Sequence, residues 1–357
     1  MSNNVLEVIE LKSGKWNIID TLGFGGQGEV YIAENGKEKC AIKKLSKDDP
    51  NISKKRKNIK NLISLQRGLY DKMKNNKDYT FTFPLEYKQV DGVDIYRMNL
   101  AAGKDLEYWI QSGLFDQYSL HEKLEVIWKI NEAFLFLSKD FLCYQDIQLR
   151  NVFYDPISKM VTVIDTENTA PANEVETSEG KRGSSAFLQG TGFFMAPEVG
   201  AGIKSAATKA SDYYAMAVLY YCILTGSENS PYHGRIMYEN SPLPMSMKEA
   251  FELAEDDEDY ADFLTFIFDK DNRVNSLEDF YQEAKNKFTS ESSKKLLNHL
   301  QRIIENWNSL PKSIQKLLSS TFKNPLEKES YSNRPRPDNW RRYLRDLLNK
   351  QEIEKVE

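Results

Sequence analysis

Gly23-Phe24-Gly25-Gly26-Gln27-Gly28-Glu29-Val30 packs four glycines into a short stretch. Without a Cβ, glycine lets backbone N–H groups close on an anion such as a phosphate oxygen. Further on, Ala41-Ile42-Lys43 ends an apolar run on a lysine. Alone, such a lysine is most simply a surface residue with a snorkelling stem. Downstream of the glycines it becomes a candidate partner for the α- and β-phosphates of a nucleotide. Asp146 and Asn151 stand five residues apart in Tyr144-Gln145-Asp146-Ile147-Gln148-Leu149-Arg150-Asn151, just before an apolar run. They suit a general base and a metal ligand. Asp165, in Ile164-Asp165-Thr166-Glu167, adds a carboxylate suited to a hard cation such as Mg²⁺. Taken singly, each of these carboxylates is more simply a turn or cap residue.

The elements that must hold these residues follow from periodicity. Trp16–Leu22, Val30–Ala33 and Cys40–Lys43 read as strands, with Asn35-Gly36 a tight-turn signal between the last two. The glycines therefore join two strands. A dinucleotide-binding fold would start a helix there instead, so that fold is disfavoured. Ser53–Met73 has helical period, with Ile59, Leu62, Ile63, Leu65 and Leu69 on one face. Phe81–Val90 and Val93–Leu100 read as a hairpin around Asp91-Gly92. After Gly103 the pattern turns helical, with Leu124–Ser138 and Ser211–Leu224 nearly all apolar. Short strands near Val152–Tyr154 and Val161–Ile164 interrupt it, and 168–190 reads as a long polar loop.

Bulk properties narrow the class. With 40 % hydrophobic and 28 % charged residues, the chain reads as globular. A net charge of −5 gives no general pull toward nucleic acid or anionic lipid. Cys40, Cys143 and Cys222 lie far apart in apolar runs, as buried thiols do in a reducing compartment. The start, MSNNVLEVIELK, lacks a signal-peptide pattern, and no apolar run reaches spanning length. The expectation is a soluble, cytoplasmic protein with no membrane or nucleic-acid partner.

The order of these parts resembles the eukaryotic-type protein kinase family, serine/threonine branch. Gly23, Gly25, Gly28 and Val30 match its glycine-rich loop, and Ala41 and Lys43 its strand-three motif. Asp146 and Asn151 match the catalytic-loop base and metal ligand, and Asp165 the aspartate of D-F-G. Gly190-Thr191-Gly192-Phe193-Phe194-Met195-Ala196-Pro197-Glu198 matches the end of the activation segment. Asp212 matches an aspartate that braces the catalytic loop.

The resemblance implies a bilobal α+β fold. Residues 1–100 would form a small N-lobe, a five-stranded antiparallel sheet plus one helix. Residues 101–357 would form a larger helical C-lobe with an enlarged insertion near 227–308. It further implies ATP and Mg²⁺, with Asp146, Lys43, Asn151 and Asp165 catalytic and Asn151 and Asp165 on the metal. Leu22, Gly23, Gly25, Gly26, Gly28, Val30, Ala41, Lys43, Met98, Ala101, Asp105 and Phe153 would hold the nucleotide. Glu198 would pair with Arg334, with Arg273 as the competitor. The activity implied is phosphorylation of Ser/Thr on protein substrates, with autophosphorylation. The alternatives are an ATP-binding or scaffolding pseudokinase and a small-molecule phosphotransferase.

Four departures stand against the family pattern. Tyr144-Gln145-Asp146 replaces H-R-D, so the arginine that grips a phosphorylated loop is absent. Asp165-Thr166-Glu167 replaces D-F-G. Gln148 stands where Ser/Thr kinases carry lysine, and Arg150 where many tyrosine kinases carry arginine. No glutamate lies between Lys43 and Glu86, so the usual Lys–Glu pair lacks its acid; Asn58, Asn61 or the remoter Asp71 would lie near that position. Thr177, Ser178, Ser184 and Ser185 are loop phosphate acceptors, and with Gln145 in place the loop is expected to need no phosphate for activity. The acidic run Glu255-Asp256-Asp257-Glu258-Asp259 is a candidate docking patch, more simply a solvated helix face.

Overall fold

The computed structural model describes residues 5–25, 28–36, 38–172, 194–200, 208–240, 262, 264–269, 271, 274–287 and 290–354. Its backbone contacts divide the chain into two units, residues 1–103 with 151–170, and 104–150 with 171–357.

The first unit is built on an antiparallel sheet of β1 (Glu7–Leu11), β2 (Gly14–Gly25), β3 (Gly28–Asn35), β4 (Glu38–Leu45), β6 (Glu86–Val90) and β7 (Val93–Met98), in the order β1-β2-β3-β4-β7-β6. Strand alternation sorts its side chains. Ile9, Leu11, Trp16, Ile18, Cys40, Ile42 and Ile95 make one core. Ala41, Leu45, Tyr96 and Met98 turn to the other side, where Ile59 of helix α1 (Ile52–Met73) meets them. At the β6–β7 turn, Asp91 and Gly92 both take positive φ, as a two-residue hairpin loop requires.

Three details depart from the sequence reading. The sheet has six strands rather than five; β1 is the addition, its apolar residues falling on both faces and blurring the alternation. Leu65 is 46 % exposed, while Lys55 and Asn58 are buried with Ile59 and Leu62 on α1. Phe81 belongs to a separate strand, β5 (Tyr79–Phe81), which pairs in parallel with Met160–Val163. That pairing, together with the Val152–Asp155/Met160–Val163 hairpin, explains why 151–170 group with the first unit although the sequence reading puts them in the second lobe.

The second unit is helical among its described residues. Helix α2 (Leu106–Gln111) and helix α3 (Leu120–Lys139) open it, and a reciprocal Ser119/Glu122 capping box starts α3. The helix Lys209–Thr225 is buried nearly all round, which its unbroken apolar sequence requires. The helix Pro337–Glu354 lies along α3. There Asn131 donates to the Pro337 carbonyl at 3.1 Å, and the Tyr220 and Trp340 rings meet at 5.0 Å. No helix of the described residues is long and apolar enough to cross a membrane.

Candidate active site

In the first unit, β2 and β3 carry the glycines. Gly25 lies opposite Gly28, and Gly23 opposite Val30. Gly28 has φ +135, and a Cβ there would sit 2.1 Å from the Lys44 carbonyl oxygen, so no other residue fits. Leu22 is exposed and Val30 half-buried. Ala41 faces Met98 across β4 and β7, and both are buried. Ala101 and Phe153 are half-buried, and Gly26 lies outside the described residues.

Lys43 is the centre of a buried ionic cluster. Its ammonium sits 2.9 Å from Asp165 Oδ1 and 2.6 Å from Glu167 Oε1. Asp165 takes a left-handed conformation, and a single 3-10 turn follows over Thr166–Asn168. This turn lets two carboxylates, two residues apart, reach one ammonium. They are not equivalent, since the Asp165 side chain is 23 % exposed and that of Glu167 fully buried. The Tyr96 hydroxyl donates to Glu167 Oε2 at 2.8 Å, and Asn58 Nδ2 donates to the Glu167 carbonyl at 3.1 Å. Lys55 stands 4.0 Å from Glu167 and 3.0 Å from Asp49.

Electrostatics separates the two acids. Burial alone would push the Glu167 carboxyl up, but Lys43 and Lys55 outweigh it and hold it at about 2. Burial pushes Asp165 up, Lys43 opposes that, and Glu167 adds to it by like charge. For Lys43, burial favours the neutral amine, yet the two carboxylates carry it above the ordinary lysine range. On the sequence alone, Asn58 or Asn61 lies near the position of the missing acid, and Asp71 farther off. The acid is Glu167, where the family has glycine; Tyr96 and Lys55 were also missed. The readable signal was a glutamate two residues after Asp165 in a chain with no glutamate between Lys43 and Glu86.

Asn151 and Asp165 share one end of the Val152–Asp155/Met160–Val163 hairpin. Val152 pairs with Val163, and the Ile164 N–H donates to the Asn151 carbonyl at 2.9 Å. One carboxylate and one amide oxygen fit a hard cation whose other ligands are phosphate and water. Among the described residues, no cluster of three or more His, Cys, Asp or Glu offers an all-protein cage.

In the second unit, Asp212 braces the backbone at Tyr144 and Gln145. Its carboxylate accepts the N–H of Tyr144 at 2.8 Å and of Gln145 at 3.0 Å, the latter at φ 70. Burial pushes Asp212 up to about 7, against the pull of those two donors. Asp146 is buried and accepts from Gln148 Nε2 at 3.1 Å. A cleft of about 40 Å³ lies against it, walled by Phe194, Met195, Ala196 and Val199. Arg150 donates to Glu107 at 2.6 Å. Asp105 caps α2 by accepting the Tyr108 N–H. Arg334 grips Glu198 through two 2.7 Å bonds. Thr191, Thr177, Ser178, Ser184, Ser185, Arg273 and the acidic run 255–259 lie outside the described residues.

The family model for the protein kinase domain matches residues 16–328. The chain belongs to the protein kinase domain family. A dual serine/threonine and tyrosine protein kinase of Takifugu rubripes is 25 % identical over 237 residues, covering 62 % of this chain and 22 % of that protein. A probable serine/threonine-protein kinase of Dictyostelium discoideum, fnkE, is 23 % identical over 206 residues, covering 56 % and 15 %. The kinase domain seen here thus spans about a fifth of the length of the curated relatives it matches. Its α+β make-up, a β-rich first unit and a helical second unit, is that of the family.

Proposed function

We propose that the chain is an ATP-dependent protein kinase that phosphorylates serine and threonine hydroxyls, its own included. The observation that carries the reading is the buried ion pair between Lys43 and Asp165, at the hairpin end that also bears Asn151. The Dictyostelium relative's name, a probable serine/threonine-protein kinase, and the serine/threonine half of the Takifugu relative's dual name support that specificity. In this reading the substrate oxygen attacks the γ-phosphorus, its proton passes to the Asp146 carboxylate, and the bond to the β-phosphate oxygen breaks to leave ADP. Lys43 neutralises the α- and β-phosphates while the glycine hairpin covers them. Leu22, Val30, Ala41, Met98, Ala101 and Phe153 enclose the adenine, and Asp105 meets the ribose. Asn151 and Asp165 would hold a Mg²⁺ ion, which would supply positive charge at the phosphates. Positioning and charge neutralisation of this kind carry most of phosphoryl transfer.

The missing acid beside Lys43 is one of the four departures from the family pattern, and a Glu167 carboxylate on the lysine supports an active kinase over a binding-only module. The Met195-Ala196-Pro197-Glu198 stretch, whose first two residues line the cleft beside Asp146, supports a protein substrate over a small molecule, because it matches the end of the family's activation segment. The test is incubation with γ-³²P-ATP and Mg²⁺, followed by phosphoamino-acid analysis. Labelled phosphoserine or phosphothreonine is expected. Label confined to phosphotyrosine would overturn the specificity, and label found only on small-molecule acceptors would overturn the substrate class.

A further inference from the structure

The acid that holds Lys43 has moved. In the family pattern a glutamate on the N-lobe helix pairs with the strand-three lysine. Here α1 carries Lys54-Lys55-Arg56-Lys57-Asn58 at that end and no glutamate at all. Two of those residues, Lys55 and Asn58, face inward and are buried. What they face is Glu167, whose carbonyl takes the Asn58 amide and whose carboxylate lies 4.0 Å from Lys55. The polarity of the contact is therefore reversed, with the helix offering donors and the 165–167 turn offering the acid.

We infer that Glu167 is the positioning residue for Lys43, and that it ties the lysine's placement to the Asp165 turn in place of an acid on α1. The inference rests on the kinase reading above. Three observations carry it. Glu167 is fully buried, so its charge has no water to fall back on. Each carboxylate oxygen has its own partner, Oε1 on Lys43 and Oε2 on the Tyr96 hydroxyl. The neighbouring Asp165 is the more exposed acid and is the one suited to a metal. When Asp165 turns to a cation, Glu167 still fixes the ammonium, so the two jobs are divided between two acids. One consequence concerns control. Outward movement of α1 breaks the family's pair directly, whereas here the Lys43–Glu167 bond has no atom on α1.

The experiment compares the full chain with Glu167→Gln and Tyr96→Phe. The first keeps shape and removes charge; the second removes only the phenol that fixes Oε2. ATP binding is followed by titration calorimetry, with Lys43→Arg as the reference for a misplaced ammonium, and ATP kinetics are measured on the same preparations. Glu167→Gln is expected to weaken ATP binding and cut kcat/KM for ATP by about 10–100-fold, as loss of a supporting partner does at metal sites, while KM for a protein substrate stays the same. Tyr96→Phe should cost about fivefold, the scale of one hydrogen bond. If the glutamine variant does not fold, Tyr96→Phe decides alone. Unchanged ATP affinity with unchanged kcat/KM in a folded variant would overturn the inference. A wild type that binds ATP and transfers no phosphate would instead sink the kinase reading, and the ATP affinity of the variants would then decide whether Glu167 governs the lysine.

Discussion

Arg334→Ala should strongly destabilise the second unit. Arg334 and Glu198 are each about 1 % exposed and joined by two 2.7 Å bonds. Arg334 also donates to the Ala210 carbonyl at 3.1 Å, and its guanidinium lies 4.9 Å over the Tyr214 ring. Alanine would leave the Glu198 carboxylate buried and without its guanidinium. Removing one member of such a pair costs about 3–5 kcal/mol. At about 2–4 °C per kcal/mol for a large domain, the melting temperature should fall by about 6–20 °C. Arg334→Lys should fall between, since a point charge cannot replace the two-pronged grip. The control is Arg336→Ala, exposed and two residues away, expected within about 0.5 kcal/mol of wild type. Differential scanning fluorimetry with a urea midpoint reads all three. If Arg334→Ala melts with the Arg336 control, the pair is not the anchor its geometry indicates.

Further outcomes follow from the same structure. Gly28→Ala forces a Cβ to 2.1 Å from the Lys44 carbonyl, so the hairpin tip must shift. Strain of about 1–3 kcal/mol should weaken ATP binding in a nucleotide titration; undiminished affinity would refute the role of that glycine. Glu167 sits at about 2 when folded, against an ordinary 4.5, so its stabilisation is complete above pH 4.5 and lost as pH falls toward 2. The stability gap between wild type and Glu167→Gln, read from urea midpoints, should therefore close across that window. Asp212 has the opposite sign, at about 7 when folded against an ordinary 3.8. Its contribution is present below pH 3.8 and lost as pH rises through 7, so wild type should lose ground to Asp212→Asn between pH 4 and 8.

What could be read from the sequence followed from local rules. Alternation marked β2, β3 and β4 because each has one face in a core, and Asp91-Gly92 marked its hairpin because few other pairs take positive φ twice. The Glu198–Arg334 pair was legible only through the resemblance, whose closing helices carry an arginine beside proline ahead of a tryptophan. Glu167 was not legible as the partner of Lys43, since the two are 124 residues apart and only the folded turn brings the second acid inward. Leu65 was misplaced for the converse reason. Helical period alone put it on the buried face, yet the ionic cluster draws Lys55 and Asn58 inside and rotates that face away from it.

Phosphoryl transfer with Asp146 as the proposed base is reached most directly by one paired measurement. Wild type and Asp146→Asn would be purified identically, matched for melting temperature and ATP affinity, and assayed for initial ³²P transfer from ATP. The asparagine keeps the shape and removes the proton acceptor, so the rate should drop by about 10²–10⁴-fold, the usual contribution of a positioned base. ATP affinity should stay the same. Equal rates in the two proteins would contradict the account.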